Sequence, residues 1–317
     1  MKISPISYYF KPNYNNIQYN RTKANLKNDI FIKNSNTISF SGGKISPKYS
    51  ALSSEMTKYV MSCEEISIQE IEKIIQKYSP TTTIDFLENL KATRMLTNGS
   101  AGYTKIPTQF QINDSGKIVV KSMPKTVYLY IPEKLDEESK IIFLDRLLHE
   151  STHVLQEESK DRTSGEDFFN NHLKSTKNID ATVNTLNFLP DIFTTLENIS
   201  TEILIDSNLP FKSLPEKLKN SSLTFDKLCA ITRNCNTANF LSSAIFLIIK
   251  NSGIQDTALA LDYIIYKAEN EYEAYSNALS SNKTLLGISG KTNFDIRLEM
   301  YTKIIEAAKK LKGAKKL

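Results

Sequence analysis

Tryptophan is missing from this chain of 317 residues, and cysteine and histidine occur only three times each. Cys63, Cys229 and Cys235 are odd in number and show no C-x-x-C spacing, which argues against a disulfide framework and against a thiolate zinc site. That usage fits a reducing compartment. Long hydrophobic runs are missing too. The longest, Ala244 to Ile249 with Leu241 just before it, falls far short of the roughly 18 to 20 residues needed to span a bilayer, and it reads as one buried helix. The N-terminus has Lys2 but no apolar stretch, because Ser, Pro and Lys interrupt Ile3, Ile6 and Tyr8 to Phe10. A Sec signal peptide is therefore not expected, which leaves the cytoplasm or export by a non-Sec route. Glycine-rich phosphate loops are also lacking: Gly42-Gly43 and Gly99-Ser100-Ala101-Gly102 have neither the Lys-Ser/Thr tail nor the dinucleotide-binding spacing, which disfavours nucleotide chemistry.

What is present begins with charge. The formal net charge of +5 suggests an anionic partner until it is divided along the chain. Residues 1–49 carry eight Lys/Arg and one Asp, residues 303–317 six Lys and one Glu, and the remainder 26 basic against 33 acidic side chains. Basicity thus belongs to the two ends around an acidic middle. Charged ends without interleaved aromatics more often solubilise than recognise, so no nucleic-acid partner is expected.

Residues 1 to about 48 hold eight Asn and no sustained period of 2 or 3.6, so 1–49 reads as a disordered basic leader and 50–317 as the folded part. From Ser67, the residues Ile68, Ile71, Ile74, Ile75 and Tyr78 share a helical stripe stopped by Pro80, and Ile84, Leu87, Leu90 and Met95 predict a second helix. The period then changes to 2. Phe110 and Ile112, a turn at Asn113 to Gly116, and Ile118 and Val120 predict a hairpin, with Val127 to Ile131 as a third strand ended by Pro132. Beyond Asp136, an expected N-cap, the helices are 137–158, 179–207 with a break near Pro190, 222–250 in two pieces, 256–281 and 293–312. The expected class is α+β: mostly helical, with helices and a small antiparallel sheet over 50–135, a key helix at 136–158 and a helical part over 159–317.

That key helix contains Leu147-Leu148-His149-Glu150-Ser151-Thr152-His153-Val154-Leu155, an HExxH pattern. Histidines four apart project from one helix face and can present both imidazoles to one ion, and the intervening Glu is placed to take a proton from a metal-bound water. With three His and 21 Glu, a chain of this composition holds on the order of 0.002 such patterns by chance. Ile141, Leu144, Leu148 and Leu155 form one apolar stripe, whereas Ile142, Arg146, His149, His153 and Gln156 form another that turns polar, as the floor of a cleft would.

The motif and its setting resemble those of zincin metallopeptidases, in which a strand shortly before the active-site helix is the edge strand that aligns an extended substrate by β-augmentation; here that strand is Val127 to Ile131. The resemblance implies zinc on His149 and His153, with Glu150 as general base and a peptide or protein as substrate. The metzincin continuation is absent, since Gln156 and Ser159 stand at its Gly and His positions.

A third ligand is still needed. Among the glutamates of Ala268-Glu269-Asn270-Glu271-Tyr272-Glu273-Ala274-Tyr275, the apolar stripe of Leu261, Ile264, Ala268, Tyr275 and Ala278 passes through Glu271, leaving Glu269 and Glu273 on the polar face. A carboxylate on a buried stripe is costly unless compensated, and a metal ion compensates it. Glu271 with Ala274 also resembles the second-helix motif of gluzincins, although the Asp often found one turn later is Tyr275 here, which leaves open what orients the histidines. Glu273, Glu202 and His172 stay open as alternatives. Tyr275, and Arg297 with Tyr301, are candidates for stabilising an oxyanion. A cysteine hydrolase lacks a nucleophile context at Cys229 or Cys235. The competing class is a non-catalytic zincin-like scaffold, in which the long insert between His153 and Glu271 is an interaction surface.

Overall fold

The computed structural model describes residues 47–86, 102–105, 108–112, 118–122, 125–132, 135–158, 165–173, 179–204, 237–254, 256–285 and 293–314. Apolar residues at helical spacing build eight helices among them: α1 (Pro47–Ser62), α2 (Ile68–Gln76), α3 (Glu137–Glu158), α4 (Gly165–Leu173), α5 (Ile179–Leu204), α6 (Thr237–Asn251), α7 (Thr257–Leu285) and α8 (Asn293–Ala314). Five short strands complete the described fold: β1 (Thr83–Phe86), β2 (Gly102–Lys105), β3 (Thr108–Ile112), β4 (Ile118–Ser122) and β5 (Thr126–Leu129). None of the described helices is long and apolar enough to cross a membrane.

The mostly helical character stands, but the small antiparallel sheet does not. β5 is the centre of a mixed three-stranded sheet, parallel to β1 (Ile84 opposite Val127) and antiparallel to β2 (Thr104 opposite Val127). The β3–β4 ribbon pairs apart from it. β5 therefore has strands on both sides and cannot be the free edge expected to receive a substrate strand. The helix expected through Ile84 is likewise replaced by β1: Thr82, Thr83 and Ile84 are β-branched and follow Pro80, and Thr83 N–H donates to the Lys125 carbonyl at 2.9 Å. Leu87, Leu90 and Met95 lie outside the described residues, as do the 113–116 turn, Cys229, Cys235 and residues 1–46. The leader's assigned last residues, by contrast, open α1, where Tyr49 is buried.

Helix α3 begins as its sequence signals, with Ser139 N–H donating to Asp136 Oδ1 at 2.8 Å. Pro190 does not break α5, which continues through it on buried Leu186, Leu189, Ile192, Phe193, Leu196 and Ile199; burial of that stripe outweighs the hydrogen bond the proline cannot make.

The described residues form two hydrophobic cores. One joins α1, α2, β1 and β5 to the Leu144, Leu147 and Leu148 side of α3; the other joins α4, α5, α6, α7 and α8. Helix α7 packs against both α8 and α3, and Ala278 reaches into the first core. The α3–α7 contact is the seam between the cores, and along it α3 is buried at all ten residues from Leu147 to Gln156, some of them against the first core.

Candidate metal centre

Three side chains meet at this seam. His149 and His153 stand one turn apart on α3 with their Nε2 atoms 3.2 Å apart. Glu271, from α7, sets Oε2 3.4 Å from His149 Nε2 and Oε1 3.5 Å from His153 Nε2. All three are buried, at 1%, 1% and 3% exposure. They form a group that could hold a metal ion.

Geometry and charge both fit a cation. Ligand atoms around a tetrahedral zinc with bonds of about 2.0 to 2.1 Å lie roughly 3.3 Å from one another, close to the three separations here. Glu271 Oε2 is sealed from solvent and, among the described residues, receives no well-aligned hydrogen bond, an expensive arrangement unless a positive charge faces it. Burial opposes charge on His153, yet the Glu271 carboxylate, with Glu150 behind it, outweighs burial and raises the imidazole above its ordinary value. Burial likewise opposes charge on Glu271, and His153 and His149 outweigh it, holding the carboxyl well below the usual range. Two nitrogens and a carboxylate are also a donor set that suits zinc.

Around the group lies a second tier of buried charge that the sequence did not single out. Lys267, one turn before Glu271 on α7, is 5% exposed. Burial lowers its pKa to about 8, against the opposing pull of Glu271, Glu197, Glu157 and Glu150. Glu197 on α5 accepts a hydrogen bond from Tyr301 Oη at 2.6 Å. Burial and then repulsion from Glu271 raise its carboxyl, and the bond from Tyr301 opposes them. Phe193, Glu197 and Ser200 are all buried, beside the stripe of Ile192, Leu196 and Ile199.

The other expected residues divide. Glu150, between the two histidines in sequence, is 1% exposed, and the stripe expected to floor a cleft is buried at His149, His153 and Gln156 and half-buried at Ile142 and Arg146. The Tyr275 ring lies 4.4 Å from the His149 ring and stacks on Tyr301 at 5.7 Å. Arg297 is buried on α8. Glu269 pairs with Lys309 at 2.9 Å on the outer face of α7. Glu273 accepts a hydrogen bond from Gln156 Nε2 at 2.9 Å and is not in the His–His–Glu group. His172 is elsewhere, its Nε2 3.1 Å from Asp262 Oδ2 and its Nδ1 2.8 Å from the Phe168 carbonyl. Glu202 belongs to α5, and its side chain lies outside what is described. No family model matches this chain, and neither a curated protein nor a solved structure is significantly similar to it.

Proposed function

We propose that the chain is a zinc-dependent hydrolase, a metallopeptidase of gluzincin-like type, with zinc on His149, His153 and Glu271. One observation carries this reading: a carboxylate more than a hundred residues away in sequence lies within 3.5 Å of both HExxH imidazoles, with Glu150 on the same helix. Zinc in that position would supply Lewis acidity and bring the pKa of a water on it down to about 7. Glu150 takes the proton of the attacking water on its carboxylate and later returns it to the leaving amine. Tyr275, packed against His149, is the side chain proposed to steady the developing oxyanion. A peptide or protein is the proposed substrate.

The burial of Glu150 favours a second reading, because catalytic zinc sites keep an open position and structural ones are closed. On that reading the chain is a non-catalytic zincin-like scaffold, and Glu150 has no chemical task. One experiment addresses both. The gently purified protein should hold about one zinc per chain, and metal analysis finding none removes the zinc assignment. Glu150→Gln should keep the metal and lose nearly all cleavage of a quenched fluorescent peptide library, by at least the ~10²–10⁴-fold of a general base. A cleavage rate unchanged by Glu150→Gln, or no cleavage by either form, selects the scaffold.

A further inference from the structure

An imidazole binds a metal through a nitrogen that carries no proton, so its other nitrogen must carry one and needs an acceptor to keep it there. For His153 that acceptor is the side chain of Gln156. The imidazole Nδ1 lies 2.9 Å from Gln156 Oε1, one turn further along α3. By itself this contact is ambiguous, since a reversed amide would offer an N–H and would draw the imidazole into the opposite tautomer.

Two contacts on the far side of the amide remove the ambiguity. Gln156 Nε2 is 2.9 Å from the Asn270 carbonyl and 2.9 Å from Glu273 Oε2. Both are acceptors only, so the amide nitrogen must face them and the amide oxygen must face His153. His153 Nδ1 then has to be the donor. Its Nε2, 3.2 Å from His149 Nε2 and 3.5 Å from Glu271 Oε1, is then the ring nitrogen that gives up its proton when a metal binds. The chain of constraint runs from α7 through a neutral amide to one nitrogen of α3, and it is enclosed: Asn270, Gln156 and His153 are 4%, 6% and 1% exposed.

We propose that Gln156 is the positioning residue that presents His153 to the metal, with Glu273 and the Asn270 carbonyl holding its amide in the one orientation that does so. This rests on the zinc reading above and adds to it a tautomer lock that joins the two helices carrying the ligands. It also gives Glu273 a task, as an anchor of the amide in place of a ligand of the ion.

The test uses the full chain, zinc and a competing chelator. Gln156→Leu, of similar size with no acceptor, should weaken zinc binding roughly 10–100-fold, as loss of an outer hydrogen-bond partner does. Gln156→Glu alone sets a second carboxylate against Glu273 and should weaken zinc at least as much. Adding Glu273→Gln supplies an N–H between positions 156 and 273 and should regain roughly tenfold of that loss. Because a merely structural bridge could also be repaired this way, ¹⁵N NMR of the zinc-loaded chain provides the separate readout. His153 should bind zinc through Nε2 and show a protected Nδ1–H, lost in Gln156→Leu and kept in the double variant. Equal zinc affinity of wild type and Gln156→Leu, or His153 coordinated through Nδ1, overturns the proposal while leaving the zinc reading standing. A wild-type chain that binds no zinc overturns the zinc reading first, and is recognised because the unsubstituted protein fails.

Discussion

A carboxylate on the buried stripe of a helix needs a cause, and of the three glutamates at 269, 271 and 273 only Glu271 has two imidazoles as that cause. Glu269 reaches an exposed lysine and Glu273 an amide. Their roles separate in a measurement of metal affinity. Glu273→Ala removes one of the two anchors of the Gln156 amide and should cost about tenfold in zinc binding; Glu271→Ala removes a ligand and should cost far more. Equal affinities in chelator competition would refute the assignment. This much was legible in the sequence because periodicity of 3.6 alone tells a buried glutamate from its neighbours. Gln156 was not legible in the same way. The sequence puts it on the stripe of His149 and His153, where a metzincin has glycine, but its partners are 114 and 117 residues away on another helix. Lys267 and Glu197 were missed for a related reason, that charged residues are assigned to solvated faces until packing shows otherwise.

At the scale of the element, α3 is held at both ends. Asp136 caps its start, while its last residue, Glu158, is a carboxylate at the unfavourable end of the helix dipole. Lys125 forms an ion pair with that carboxylate, and Ser79 Oγ donates to it at 2.8 Å. Burial would raise the Glu158 pKa, and the bonds from Lys125 and Ser79 outweigh it and lower the carboxyl below its ordinary value. A lowered folded-state pKa means stability that is present above the unfolded value of about 4.3 and is lost as pH falls through the folded one. Glu158→Gln should therefore cost about 1 kcal/mol at pH 7, read from urea midpoints, and the gap should close towards pH 3. A gap of the same size at both pH values would show that charge is not what Glu158 contributes. The helix itself was readable, since cap and stripe are local signals. The sheet was not. Pairing of β1 with β5 joins Thr83 to Thr126 in parallel, and hairpin logic, which joins consecutive strands, has no means of finding a partner 43 residues away.

At the scale of the whole molecule, the His–His–Glu group joins what are otherwise two cores. Its histidines stand on the helix that the first core wraps, and its carboxylate stands on a helix of the second. An ion bound there ties the cores at their seam and exists only in the folded state, since unfolding separates α3 from α7. Binding to the folded state alone stabilises by about 4 kcal/mol when free zinc is 1,000-fold above its Kd. For a chain of this size that is a rise in Tm on the order of 10 °C. His153→Ala should remove most of the rise, whatever its effect on the metal-free Tm. Ligands must shed protons to bind the ion, so the zinc-dependent rise should also shrink as pH is lowered from 8 to about 5. Calorimetry with and without zinc, at both pH values and on both proteins, measures this directly. A rise of equal size in His153→Ala would place the ion away from the seam, and the two cores would then be joined by side-chain packing between α3 and α7 alone.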